Sequence, residues 1–229
     1  MRQKIKNKII WNIIKRSSKV FDVHINKVFI STFLPPNPVI IDCGAHDGSD
    51  SIELQKIKGA KVYSFEPLPQ VFDRLKEQTK PYKNIEIFKV ALADFNGMAK
   101  MYVSTGQSDG SSSLMPPKDH LIDHPQVFFK EFAYVECKTL DQWAQQNGIT
   151  KIDMLWLDMQ GYEMPMLKAS KDVLSNVSVI HTEVSLKETY DSVNQYPELK
   201  EFLLKEGFYV EQEAIPLGYD MGNVLFIRR

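Results

Sequence analysis

Residues 39–51, Val-Ile-Ile-Asp-Cys-Gly-Ala-His-Asp-Gly-Ser-Asp-Ser, constrain this chain more than any other stretch. An apolar run closes on Asp42, glycines follow at Gly44 and Gly48, and Ser49 is placed to cap an incoming helix. That is the order of a strand buried on both faces, a tight turn and a helix N-terminus. In open α/β sheets a nucleotide-like ligand sits at such a turn, beyond the carboxyl end of the strand. Gly44, without a Cβ, would let the backbone pass close to that ligand.

From residue 39 onward the pattern alternates. Strands are expected over 38–42, 61–65, 85–92, 152–157 and 177–182. Helices are expected over about 49–58, from Pro67 to about residue 80, over 140–147 and after Gly161. Thr139 is an N-cap for the 140–147 helix and Gly148 its stop. Asn96-Gly97 turns the chain into a further strand over 98–104, and another is expected over 132–138. A last helix, about 197–206, precedes strands over 208–213 and 223–227. This βαβ rhythm specifies a doubly wound, mostly parallel α/β sheet with an antiparallel final strand. Residues 105–130, with two glycines, a run of three serines at 111–113 and three prolines, break the rhythm. A loop of that length is a functional lid or a disordered piece.

The 229 residues, 43% hydrophobic, suffice for one sizeable core. Cys43 and Cys137 are too few and too far apart for a disulfide framework or a zinc site, which fits a reducing, cytoplasmic setting. No apolar run approaches the roughly 20 residues of a membrane span. The overall charge of −1 conceals an asymmetry: residues 1–20 carry seven basic residues and no acid, leaving the remainder mildly acidic. That body is not built to wrap nucleic acid. Ile5, Ile9 and Ile13 recur every four residues, so 2–16 reads as a helix, with a second near 19–33. Such a helix can pack on the domain or rest on an anionic membrane as a peripheral contact. Leu34-Pro35-Pro36-Asn37-Pro38 then divides a helical extension, 1–38, from the main domain, 39–229.

A dinucleotide turn needs Gly-x-Gly-x-x-Gly, but His46 stands at its middle glycine. What remains is Asp42 followed by Gly44 and Gly48, with a second acid, Glu66, closing the next strand. A carboxylate there can accept hydrogen bonds from both ribose hydroxyls. This set favours S-adenosylmethionine (SAM) over NAD as the ligand.

Several motifs occur in a fixed order: Ile-Ile-Asp-Cys-Gly-Ala-His-Asp-Gly at 40–48, Tyr-Ser-Phe-Glu-Pro at 63–67, Ala-Leu-Ala-Asp at 91–94, Gly-Ser-Ser-Ser-Leu at 110–114, Val135 to Asp141, and Leu-Asp-Met-Gln-Gly-Tyr-Glu at 157–163. From 39 to 229 the chain resembles the FkbM-type class I SAM-dependent methyltransferases. The resemblance implies a seven-stranded sheet of order 3-2-1-4-5-7-6 and methyl transfer, mostly to hydroxyl oxygens of sugars or secondary metabolites. Carried over, Asp42, Gly44, His46 and Gly48 form the SAM loop and Glu66 holds the ribose. Ala91 and Leu92 flank the adenine, and Ser112 and Asp158 lie beside the transfer centre. The sequence departs from the family at Gln160, where an acid is common, and at His46, often Asn.

A hydroxyl acceptor must lose its proton, which calls for a base or a metal. Asp158 and Glu183 end adjacent strands and should share one rim. Asp158 can act as a general base assisted by His181 or a loop histidine (His120 or His124), or Asp158 and Glu183 can hold Mg²⁺. Each acid also has a plainer role: Asp42 bonding within its own loop, Asp158 capping the next helix, Glu163 complementing that helix's dipole, Glu183 as a satisfied strand-end acid. The acceptor is expected to be a small molecule or a glycan. The competing functions are a non-catalytic SAM-binding protein, an NAD-dependent oxidoreductase, and a nucleic-acid methyltransferase. The last is disfavoured because no Asn/Asp-Pro-Pro-aromatic run follows the fourth strand.

Overall fold

The computed structural model describes residues 23–229, so the basic helix expected over 2–16 and the start of the next lie outside the described residues. What is described of the second helix is one short element, α1 (Lys27–Ser31), whose N-cap Asn26 accepts a hydrogen bond from the Val28 N–H at 2.8 Å. The proline-rich turn after it leads into β1 (Val39–Cys43).

The strands β1, β2 (Lys61–Phe65), β3 (Ile85–Phe88), β7 (Met154–Leu157), β8 (Val179–Ser185), β9 (Phe208–Ala214) and β10 (Met221–Arg228) form one sheet in the order β3-β2-β1-β7-β8-β10-β9. Only β10 runs antiparallel to its neighbours, so the expected architecture and order hold. The period of two sorts the side chains. Ile40, Val62, Met154, Trp156, Val179 and Leu225 face Ile25, Phe29, Ile30 and Leu34 of the α1 segment, together with Leu54 of α2 (Ser49–Leu54). Ile41, Phe65, Leu155, Leu157 and Phe226 face the other way. They pack on Trp143 of α5 (Leu140–Gln146), Leu167 of α6 (Glu163–Lys168) and Leu203 of α8 (Tyr196–Lys205). Each fully buried side chain of this kind contributes about 1.5–3 kcal/mol. The α1 segment therefore completes the core on one face.

The structure corrects the sequence reading in four places. The strand expected over 85–92 is broken: β3 stops at Phe88, and the two-residue β4 (Ala91–Leu92) leaves to pair with residues 137–138. This makes a second, three-stranded sheet, β4-β6-β5, with β5 (Gly97–Gly106) and β6 (Val127–Lys138) antiparallel. The loop expected over 105–130 is consequently shorter, because both strands run into it. It contains one helical turn, α4 (His120–Asp123). Ser49 is not the cap of α2. Gly48 is, in the left-handed region, while Asp47 accepts from the Ser49 N–H at 3.0 Å. Finally, β8 extends past β7, because its pairing with β10 continues through Asn223↔Glu183 after β7 has ended. Glu183 thus lies within a strand. A short helix α7 (Lys171–Leu174) and the eleven-residue α3 (Pro69–Thr79) complete the frame. No helix among the described residues is long and apolar enough to cross a membrane.

Candidate active site

The carboxyl ends of β1, β2 and β7 and the 107–114 part of the long loop enclose a cavity of about 380 Å³. Gly44 sits at its base with φ +84°, and a Cβ there would stand 1.9 Å from the carbonyl oxygen of Asp158. The glycine is required by the approach of two strand ends, and only secondarily by any ligand. Gly48 does not line the cavity. A Cβ on it would press on Leu75 and Thr79 of α3, so it lets α2 and α3 meet. Glu66 does line it, with Oε1 accepting from the Leu68 N–H at 2.8 Å. Burial raises the Glu66 carboxyl to about 7, against the pull of hydrogen bonds from the Leu68 and His46 backbone. Ala91, Leu92, Val71 and Met101 supply an apolar wall. The short β4 exists where it does to build that wall.

Asp42 is absent from the cavity wall. It is buried, accepts a 2.5 Å hydrogen bond from the Ser51 hydroxyl, and through it reaches Ser64 at 2.8 Å. Burial lifts its carboxyl to about 7. Parity explains the correction: Asp42 shares a face with Ile40 and so points under α2. The residue anchors the loop from below.

Asp158 closes the cavity from the β7 side. Its Oδ1 accepts from the side-chain amide of Gln160 at 2.6 Å, and the same nitrogen reaches Glu183 Oε2 at 3.2 Å. Gln160 Oε1 in turn accepts from the Tyr190 hydroxyl at 3.0 Å, and its backbone carbonyl from the Ser113 hydroxyl at 2.8 Å. This residue, in the left-handed region at φ +52°, joins the two acids to the long loop. Burial raises Asp158, with Asp50 adding to it. Glu183 is raised well above the usual carboxylate range by burial and by Asp158 and Glu163. Asp158 does not cap the following helix. Glu163 braces that turn instead, accepting from Met159 N–H at 2.8 Å and Gly161 N–H at 3.4 Å.

The Mg²⁺ expectation does not fit this arrangement. A donor nitrogen stands between the two carboxylates, where a cation would have to bind. Among the described residues no three His, Cys, Asp or Glu side chains are grouped to hold a metal. The pairing of His181 with Asp158 is corrected as well. His181 is stacked on Trp156, ring centroids 3.6 Å apart, and lines a different cavity. Burial, with Lys27 and His24 nearby, lowers its pKa to about 3 and keeps it neutral. His120 packs against Tyr190 and Phe129 as part of the loop's own core.

Ser112 and His46 line the same cavity as Glu66. The sequence reading missed Arg74, which donates to Asp109 Oδ2 at 2.5 Å while Asp109 Oδ1 meets His46 Nε2 at 2.8 Å. This trio fastens the long loop to α3 and to the strand 1 turn. It also missed Met101, whose only sequence signal was an apolar alternation along β5, and gave no role to Tyr162, which stands inside the 157–163 motif and lines the cavity.

Asp47, Asp50, Glu66, Asp109 and Asp158 line the cavity, and among the described residues no lysine or arginine does. Such a wall repels the two phosphates of NAD. It suits SAM, a sulfonium cation carrying a ribose and an adenine: carboxylates for the charge, Glu66 for the hydroxyls, the Ala91–Leu92 wall for the base. Fold and site together define a class I SAM-dependent methyltransferase. The sheet is shared with magnesium protoporphyrin IX methyltransferase of Synechocystis PCC 6803, solved with bound SAM: TM-score 0.50 at 13% identity, covering 100% of this chain and 80% of that one. An rRNA methylase from Streptococcus thermophilus has TM-score 0.51 at 13% identity, covering 88% and 92%. These likenesses concern the fold alone.

The chain belongs to the FkbM methyltransferase family: residues 42–210 match the model of the methyltransferase FkbM domain. A relative in Sinorhizobium fredii, the 2-O-methyltransferase NoeI, is 33% identical over 184 residues, which is 78% of this chain and 75% of that protein. The methyltransferase sdnD of Sordaria araneosa is 24% identical over 224 residues, 86% of this chain and 83% of its own length. The oxidoreductase and non-catalytic alternatives find no support.

Proposed function

We propose that this methyltransferase acts on a hydroxyl oxygen of a sugar or glycan and that Asp158 takes the hydroxyl proton. The observation that carries the reading is Asp158 itself. It is a half-buried carboxyl at the wall of the donor cavity, and its side-chain hydrogen-bond partner is the Gln160 amide rather than a cation. A carboxylate paired with Lys or Arg would be a poor base, whereas one lifted by burial is closer to the range a neutral-pH base needs.

SAM, when bound, supplies the methyl group: an O–CH₃ bond forms as the S–CH₃ bond breaks, and the electron pair stays on sulfur. The chain's residues do the remaining work. Glu66 and the Ala91–Leu92 wall fix the donor's orientation, and alignment of that kind removes much of the barrier. A cation beside Asp158 draws its carboxyl back toward the ionised form, so the base is ready when the donor site is filled. Asp158 then receives the hydroxyl proton. Gln160 holds the carboxylate in place. Ser112 and the loop around it, tied down by the Arg74–Asp109–His46 trio, keep water from the reacting atoms.

The hydroxyl assignment is supported by the family and by the 2-O-methyltransferase relative. The test is incubation with methyl-labelled SAM and separated glycan, lipid and RNA fractions. Label should enter glycans, as an alkali-stable ether. Label confined to lipid or RNA would overturn the acceptor class. A second part of the proposal, resting on sequence alone, is that the basic 1–20 segment touches anionic membranes. Co-sedimentation with phosphatidylserine vesicles, lost on deleting that segment, is the expected result.

A further inference from the structure

On the α1 side of the sheet a second cavity, of about 330 Å³, lies against the same rim. Its wall is made by His24 and Lys27 from the start of the described chain, by His181, Glu183 and Asn223 from β8 and β10, and by Trp156. Asp50 and Asp158 line both this cavity and the donor cavity. They form the partition between them.

We propose that this second cavity is the acceptor subsite, and that it takes a single polyhydroxylated sugar ring with the reacting hydroxyl against Asp158. The inference rests on the proposed glycan reading and deepens it.

Three observations carry it. The first is position: Asp158 is the wall common to both cavities, so a hydroxyl entering from the α1 side reaches the base from the side opposite most of the donor wall. In-line displacement needs the two reactants on opposite sides of the transferred carbon.

The second is chemistry. The wall presents an ammonium, two imidazoles, a carboxamide and three carboxyl groups, against little apolar surface beyond Ile25, Leu157 and the Trp156 ring. Neighbouring hydroxyls, each both donor and acceptor, match a mixed set of this kind. A lipid or flat aromatic acceptor would leave those groups desolvated and unpaired. The charges are already balanced in part, since Lys27 Nζ lies 2.6 Å from Asp50 Oδ1 and 4.8 Å from the Trp156 ring. A neutral ligand is therefore favoured over a strongly charged one. The volume is at the low end of ligand pockets, about 300–1,000 Å³, which suits one ring.

The third is an unmet need. His181 is 4% exposed, and among the described residues its Nδ1 has no hydrogen-bond partner. A buried ring nitrogen left unpaired is costly, and His181 lines this cavity, so a hydroxyl that settles against the ring on binding would relieve that cost. His181, expected to assist the base, is thereby assigned to holding the acceptor.

His24 and Lys27 precede residue 42, where the family match begins. Acceptor choice would then depend partly on a segment outside the shared domain, which would let related enzymes keep one donor site and differ in substrate.

The test uses the full chain, methyl-labelled SAM and total glycans released from the source cells. Two variants are made, His181→Phe, which keeps the stacked ring and removes both nitrogens, and Lys27→Met, which keeps the stem. Neither residue lines the donor cavity. Both variants should therefore bind S-adenosylhomocysteine (SAH) as wild type does by calorimetry, which also verifies folding. The expected result is half-saturation at about tenfold more glycan in at least one variant that binds SAH normally, the effect of losing a buried hydrogen bond. Wild-type half-saturation in both SAH-competent variants would overturn the subsite and leave the glycan reading intact. Failure of the wild-type enzyme to label any glycan would overturn the glycan reading, and the subsite with it. Should one variant fail to bind SAH, the other decides.

Discussion

The two halves of the sheet rim are built on opposite principles. On the β1–β2 side the fit is made by backbone: Gly44 has no room for a Cβ beneath Asp158, Gly48 lets two helices meet, and Glu66 is fixed by main-chain donors. On the β7–β8 side the fit is made by side chains: Asp158 and Glu183 share one amide hydrogen-bond donor, and burial raises both. The first half tolerates little change in shape. The second half depends on where protons sit. A donor common to a whole family calls for the first kind of construction, while proton removal calls for the second.

The sharpest way to break this division is Asp158→Asn. The side chain keeps its size, so the cavity should survive and SAH should bind normally. Methyl transfer should nonetheless fall by about 10²–10⁴-fold, the usual contribution of a general base. A variant with near wild-type turnover would move the proton acceptor elsewhere. Gly44→Ala should act in the opposite manner, through shape alone. Overpacking and strain at positive φ together should cost roughly 3 kcal/mol, read as a lower urea midpoint with unchanged slope. Full stability there would mean that the strand ends can separate freely.

Glu66→Gln separates the halves more finely. The amide keeps the volume and one acceptor but loses the charge-assisted bonds to the ribose. SAM and SAH should both bind roughly tenfold more weakly. Equal loss for the two ligands is the informative part, because Glu66 is assigned to the sugar they share. A loss confined to SAM would assign Glu66 to the sulfonium instead.

The sheet was legible because its strands are short apolar runs closing on Asp42, Glu66 and Asp158, and local pattern suffices for that. The second sheet was not. Its key pairing joins Ala91–Leu92 to Cys137–Lys138, partners too far apart in sequence for any local signal. Glu66, Ala91, Leu92, Ser112, His46 and Asp158 were found at the cavity because each follows a strand end or belongs to an ordered motif. Asp42 and His181 were misjudged for one shared reason. The period of two puts Asp42 with Ile40, and His181 opposite Trp156, on the α1–α2 face. Counting parity from the apolar residues could have revealed that. Gln160 stood out as a departure from the family, but its role lies in a φ of +52° and three partners from distant segments, none of them visible in the sequence.

The smallest expected effect concerns the whole rim. Burial raises Asp42, Glu66 and Glu163 to about 7, whereas in an unfolded chain such groups titrate near 4. Between those values the folded protein binds more protons than the unfolded one, so stability must fall as pH rises. The loss begins near pH 4 and is complete just above pH 7. Asp47 and Asp109, which are lowered, contribute below that window, and His181, lowered to about 3, works the other way up to about pH 6.5 but is one group against three. The ligand-free protein should accordingly show a higher urea midpoint at pH 5.5 than at pH 8. Saturating SAM should favour the higher pH more than SAH does, because only SAM adds a sulfonium charge beside the carboxyl groups. A midpoint that rises from pH 5.5 to 8 without ligand would mean that these acids are ionised and paired in the native protein.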